Sequence, residues 1–241
     1  MLKKSRGIVL SYVKYSESSI ISKIYTKEFG LQSYVVKGIR SKKPKAGIAL
    51  FEPLSIVEIV AYQNENKTIH NLKEIRIDYP FQSIPFDALK RSMLFFIDEV
   101  LIKTIKEESS NPALFDWLAH SLAWFDLNDG NNMNFHLSFM MQLSRFLGFY
   151  PKKESIPDSR FFDLDSGLFT RHRPKSPNHL SEGQADLFHD IYNGSFEDAS
   201  RIKISTGQRR KLLESLIVYY KIHSPGFGDL KSLDILKMVV S

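Results

Sequence analysis

Ile20-Ile21-Ser22-Lys23-Ile24-Tyr25-Thr26-Lys27-Glu28-Phe29-Gly30-Leu31-Gln32-Ser33-Tyr34-Val35-Val36-Lys37 is the stretch that decides the fold. Both ends are rich in Ile, Val, Tyr and Thr, which fit a pleated surface. In the first half Ile20, Ser22, Ile24 and Thr26 alternate with Ile21, Lys23 and Tyr25, the two-residue period of a strand. Lys27-Glu28-Phe29-Gly30 between them has turn chemistry. Working outward, residues 7–13, 54–62 and 68–77 have the same composition, so five strands are predicted: 7–13, 19–26, 30–37, 54–62 and 68–77. Gln63-Asn64-Glu65-Asn66 and the Lys/Pro/Gly stretch 41–47 supply further breaks. Five short strands suit a small closed barrel, because closure removes exposed sheet edges.

Asp78-Tyr79-Pro80 and Ile84-Pro85 then punctuate the chain, and the period becomes helical. Asp87 is placed to cap a helix running to about residue 107, with Leu89, Met93, Phe96, Val100 and Ile105 on its apolar face. Asn111-Pro112 opens a second helix through 125, since Pro costs nothing at the first helical position. Phe135, Phe139, Leu143, Phe146 and Leu147 mark a third, ending at Gly148. Residues 151–180 hold four prolines and read as an irregular excursion with a hairpin at 161–169. Helices resume at 181–192, 207–223 and 230–240. The expected organisation is α+β: a β domain over residues 1–80, then an all-α helical domain over 81–241 that carries the Pro-rich excursion.

Charge is unevenly distributed. Residues 1–79 hold 14 Lys/Arg against 7 Asp/Glu, a balance of +7, while the remaining 162 residues balance to −1. A positive field confined to one β module points to a polyanion, nucleic acid first. The densest segment, residues 37–45, has five positive charges and no acid: Lys37, Arg40, Lys42, Lys43 and Lys45. With Arg6 and Lys14 these are the candidate phosphate contacts, although a charge run also serves simply as solvated surface. Tyr12 and Tyr34 lie in strands close to basic positions and are candidate platforms for stacking bases, against the plainer reading as half-buried packing residues. In the helical part, Arg145 and the cluster Arg209-Arg210-Lys211 are candidates for holding an acidic peptide end; solvated helix surface is the alternative.

Other chemistries are poorly supported. The sequence has 43% hydrophobic and 25% charged residues, which suits a packed core. It has no run of 18 apolar residues and no signal-peptide pattern, so a cytoplasmic protein without a membrane span is expected. Zero cysteines exclude disulfides, thiolate zinc sites and cysteine nucleophiles. None of the seven histidines has HExxH spacing, and no GxxxxGK[ST], GxGxxG or GxSxG is present. Asp163-Leu164-Asp165-Ser166-Gly167 lacks the closing Glu of a calcium loop and reads as a hairpin turn. An enzyme is therefore not expected, and neither a metal nor a cofactor is called for.

Several strings resemble the RecO family of bacterial recombination mediators. They are residues 7–18 (Gly7-Ile8-Val9-Leu10-Ser11-Tyr12-Val13-Lys14-Tyr15-Ser16-Glu17-Ser18), Tyr25-Thr26-Lys27-Glu28-Phe29-Gly30, Val36-Lys37-Gly38-Ile39-Arg40 and Leu50-Phe51-Glu52-Pro53-Leu54. Leu147-Gly148-Phe149-Tyr150-Pro151, residues 161–169 and Tyr219-Tyr220-Lys221-Ile222-His223 followed by Leu230-Lys231-Ser232 are similar more loosely. The resemblance implies a five-stranded OB-fold β-barrel followed by a helical domain. It also implies binding of single- and double-stranded DNA, strand annealing, and help in loading RecA onto strands coated by single-strand-binding protein. RecR and the acidic C-terminal tail of single-strand-binding protein are the implied partners. Many members carry a four-cysteine zinc site around the segment matching 161–169; this chain has no cysteine, so packing through Phe161, Phe162, Leu164, Leu168 and Phe169 is expected in its place. The alternative function is a protein-interaction adaptor that takes acidic peptides on its helical domain.

Overall fold

A computed structural model describes residues 1–39, 47–64, 66–152 and 160–240. The chain forms two compact units, Met1–Leu127 and Asn128–Ser241.

In the first unit, β1 (Leu2–Lys14), β2 (Ile20–Thr26), β3 (Gly30–Val36), β4 (Ile56–Tyr62) and β5 (Ile69–Tyr79) close into a barrel in the order β1-β2-β3-β5-β4. This is the five-stranded OB arrangement expected from the sequence. β1 serves two partners: its first half pairs with β4 and its second half with β2. Gly7 sits where the two pairings overlap, opposite both Thr26 and Val57, and a Cβ there would lie 2.6 Å from a methyl of Ile24. The corner therefore needs a residue without a side chain. β3 and β5 pair in parallel over only three residues, Ser33–Val35 with Ile69–Asn71. Val9, Ile24, Tyr34, Val36, Val57 and Ile59 fill the interior, and Phe51, on a 3-10 turn at Ile48–Phe51, is buried in the same core.

The junction after β5 is held by one buried carboxylate. Asp126 accepts hydrogen bonds from the backbone N–H groups of Gln82, Ser83 and Ile84 at 2.8, 2.9 and 3.0 Å and from the Tyr79 hydroxyl at 3.2 Å. Burial alone would raise its pKa, but these donors outweigh it and hold the group below the usual carboxylate range. Helices α1 (Ala88–Thr104) and α2 (Pro112–Leu127) complete this unit. Asp87 caps α1 as anticipated, accepting from the Lys90 N–H, and Asn111 caps α2 through the Leu114 N–H.

The second unit contains α3 (Phe135–Phe146), α4 (Glu182–Asn193), α5 (Phe196–Arg201), α6 (Thr206–His223) and α7 (Leu233–Val239). A small sheet, β7-β6-β8, is built from β6 (Phe161–Asp163), β7 (Leu168–Thr170) and β8 (His179–Leu180). Phe162 is buried between Phe169, Phe188 and Tyr219 at ring distances of 4.8, 4.5 and 5.7 Å. Leu164 and Phe169 are buried with it, so the hairpin is anchored by packed rings, while Phe161 and Leu168 are partly exposed. Asp163 accepts from Asp165 N and Ser166 Oγ, which makes its stretch the expected turn. No group of three or more metal-ligating His, Asp or Glu residues occurs among the described residues. No helix among them is long and apolar enough to cross a membrane.

Candidate nucleic-acid interface

OB barrels bind oligonucleotides on the β2–β3 face and in the loops beside it, including the one between β4 and β5. A cleft of about 490 Å³ opens there. Alternation along β2 decides what faces it: Ile20, Ser22, Ile24 and Thr26 are buried inside the barrel, so Lys23 points outward, opposite Ser33 of β3 and Ser11 of β1. Leu10 and Leu31 form an apolar floor, and the β4–β5 loop contributes Asn66, Lys67 and Thr68. The segment leaving α1 forms the other wall with Ile105, Lys106 and Glu108. Three lysines from three distant parts of the chain, Lys23, Lys67 and Lys106, thus border one apolar-floored groove, with Glu108 as its acid.

That outer wall is stitched to the β2–β3 hairpin. Leu31 N–H donates to Glu107 O at 3.1 Å, and the Gln32 amide donates to Phe29 O at 2.8 Å and Glu108 O at 3.4 Å. Ser110 Oγ donates to Lys27 O at 2.9 Å, and Lys27 Nζ pairs with Asp116 at 2.7 Å. Gly30 (φ +65°) lies flat against this segment. Under the β4–β5 loop, His70 contacts Gln32 Oε1 through Nε2 at 2.9 Å and accepts from Asn64 N–H at Nδ1, 3.4 Å. The neutral Nε2–H tautomer satisfies both contacts. Burial lowers the pKa of His70, partly countered by the Glu108 charge, and so favours the neutral ring that these contacts use. The groove offers ammonium groups, amides and hydroxyls in a fixed frame. That set suits a polyanion held mainly by its phosphates.

The residues singled out in the sequence fare differently. Lys14 and Lys37 are exposed, Lys37 bordering a separate hollow of about 330 Å³ with Lys73. Arg40, Lys42, Lys43 and Lys45 lie outside the described residues. Arg6 is engaged with Asp78 at 2.7 Å and covers the Phe115 ring. Tyr12 is 43% exposed, opposite Ser22 at the barrel mouth. Tyr34 is a correction: it is fully buried in the barrel core, where its hydroxyl accepts from Gln63, and it has no open face for a base. Arg209 is another. It is buried, donating to Asn134 Oδ1 and to the carbonyls of Ile204 and Val240, so it is a structural strut rather than a peptide contact. Arg145, Arg210 and Lys211 are exposed. Sequence reasoning missed Lys23, Lys67 and Lys106; strand alternation and the turn at 63–66 flag the first two only once the barrel is known.

Residues 1–81 match the family described as recombination protein O N terminal, and residues 85–234 match recombination protein O C terminal. The chain is 37% identical over 241 residues to the DNA repair protein RecO of Phocaeicola vulgatus, covering 100% of both. It is 38% identical over 239 residues to the protein of that name from Flavobacterium psychrophilum, with 99% of each chain covered. Identity to the Bacteroides fragilis protein is 36% over 238 residues, 98% of each.

Proposed function

The chain belongs to the recombination protein O family of DNA repair proteins, and from that premise we propose that it is a non-enzymatic recombination mediator acting in the cytoplasm. It binds single- and double-stranded DNA, anneals complementary strands and assists RecA loading onto strands coated by single-strand-binding protein. The observation that carries the DNA contact is the groove on the β2–β3 face with Lys23, Lys67 and Lys106. Exposed Lys14, Lys37 and Tyr12, elsewhere on the barrel, and Arg40, Lys42, Lys43 and Lys45 belong to this proposal by their charge or ring. Annealing then needs no reacting group: cations that neutralise two strands lower the repulsion that keeps them apart. RecR and the acidic tail of single-strand-binding protein are the proposed partners, with exposed Arg210 and Lys211 on α6 as contacts for the tail.

A fluorescent oligo-dT titrated at several salt concentrations tests the groove. Each phosphate contact on a single strand adds about 0.7 to the slope of log affinity against log salt, so Lys23→Glu with Lys67→Glu should flatten it by about 1.4. Affinity should fall alike for all sequences. The charge-matched pair Lys203→Glu with Lys231→Glu, both exposed in the second unit, should leave the slope unchanged. Equal effects of the two pairs would remove the groove from the DNA site.

A further inference from the structure

Arg145 stands apart from the other arginines. Arg6, Arg76 and Arg201 pair with carboxylates, Arg91 and Arg210 each donate to a backbone carbonyl, and Arg209 is buried. Arg145 is exposed, and among the described residues its guanidinium has no ion pair and no hydrogen bond. It is nevertheless held in place: its centre lies 4.4 Å from the ring centroid of Tyr150. Tyr150 is itself fixed, stacked on Tyr192 at 4.8 Å and 23°, with its hydroxyl donating to Tyr192 O at 2.9 Å. His189 continues the stack beyond Tyr192 at 6.3 Å and 26°. The turn that creates the arrangement follows α3, where Phe149 N–H returns to Ser144 O and Gly148 (φ +84°) reverses the chain, setting Tyr150 beside Arg145.

An arginine braced by a ring loses little further freedom when it binds, and its five N–H donors are ready for a planar anion. Two chemistries fit the edge of the fork, a phosphate and a carboxylate. The ring beside it decides between them: an exposed guanidinium centred 4.4 Å from a fixed aromatic ring leaves its planar group and that ring together to meet a nucleobase, which an acidic peptide end does not supply. We propose that Arg145, braced by Tyr150, is a second nucleic-acid contact, in the Asn128–Ser241 unit, that takes the phosphate and adjoining base of a single strand independently of the barrel groove. The inference rests on the annealing reading. A protein that pairs two strands has to hold both, and the groove accounts for one.

The test is two-strand capture. Biotinylated oligo-dT on a surface is saturated with the protein, unbound protein is washed away, and a fluorescent oligo-dT is added; identical strands cannot pair, so retained fluorescence reports a second site. The wild-type protein should retain the second strand. Losing a charge-assisted bidentate contact should make Arg145→Ala retain it roughly tenfold less well. First-strand affinity should stay within about twofold, since additivity holds for independent sites. Arg145→Lys, which keeps the charge but not the planar fork, should fall between them. Capture by Arg145→Ala equal to wild type would overturn the proposal, and so would wild-type protein that binds the first strand but not the second. Undiminished capture with loss of binding to an acidic peptide would also overturn it and assign Arg145 to the peptide. Wild-type protein that binds no strand at all would instead defeat the DNA reading itself.

Discussion

Replacing Gly30 by alanine should loosen the groove from a position that touches no ligand. Gly30 has φ +65°, and a Cβ on it would lie 2.4 Å from Ser109 O, 2.7 Å from Glu108 C and 2.8 Å from Glu108 O. Left-handed backbone costs a non-glycine residue about 1 kcal/mol. The contacts are with backbone, so no side chain can swing aside; the 107–110 segment has to move off the hairpin. That gives up the bonds from Leu31 N–H to Glu107 O, from Gln32 to Glu108 O and from Ser110 to Lys27 O. At about 1 kcal/mol each, the total loss is about 4 kcal/mol. Gly148 is the control. Its φ is +84°, but nothing lies within 4 Å of its would-be Cβ, so Gly148→Ala should cost only the backbone share, about 1 kcal/mol. Amide exchange at Leu31 reads the local loss directly, and urea unfolding reads the global one. Gly30→Ala should also weaken oligo-dT binding, because the displaced wall carries Lys106. Equal destabilisation by the two substitutions, or Leu31 exchange unchanged in Gly30→Ala, would refute the reasoning.

Asp98 on α1 is buried, and its Oδ1 makes no hydrogen bond; burial first, and the Glu99 charge second, push its pKa up to about 8. The folded state therefore keeps a proton that the unfolded state releases, so stability should fall as pH rises toward 8, by up to about 1.4 kcal/mol per pH unit. Asp98→Asn should remove that slope and exceed wild type in stability at pH 8, whereas parallel urea midpoints for the two proteins at pH 5 and pH 8 would sink the idea. For the barrel tyrosines, Tyr12→Ala should weaken oligo-dT binding by about 1–3 kcal/mol if a base stacks on it, while Tyr34→Phe, inside the core, should leave binding unchanged. A loss confined to Tyr34→Phe in the same titration would contradict that placement.

The barrel was legible where burial leaves a two-residue period. β2 is the clear case, with alternate residues inside from Ile20 to Thr26. The first residues of β1 were missed because Lys3 and Lys4 show no such period; they are strand because their backbone closes the barrel on β4. β3 explains the error over Tyr34. Its inward residues are Gln32, Tyr34 and Val36, and its outward ones include Leu31 and Val35. Leu31 floors the groove beside the α1 segment, so both faces carry apolar residues and the strand's own pattern does not say which is inside. Arg209-Arg210-Lys211 failed for a different reason. Consecutive helix positions are about 100° apart, so three adjacent basic residues cannot share one face. The first turned inward to bind carbonyls, and the other two remained in solvent. α5, six residues long, is too short for a period to show, and only its Ser195–Asp198 capping box marks it.

One of the family-like strings, Tyr25-Thr26-Lys27-Glu28-Phe29-Gly30, is engaged within the protein. Tyr25 donates to Asn111 O, Lys27 pairs with Asp116, Glu28 accepts from Ser5, Phe29 lies under Lys3, and Gly30 meets Ser109. These contacts fasten the β2–β3 hairpin to β1, to α2 and to the segment that follows α1, and the last of these makes the groove's outer wall. The groove's lysines show the reverse. Lys23, Lys67 and Lys106 belong to no string, are far apart in sequence, and look ordinary where they stand. They converge only because a closed barrel brings β2 beside the β4–β5 loop and because the hairpin turn holds the α1 segment against both. A backbone-binding site asks little of any one position, since phosphates accept an ammonium from many directions. The demanding positions are those that fix the frame. If the proposed groove is the DNA site, that family-like string marks its clamp, and Gly30 should matter to binding without touching the strand.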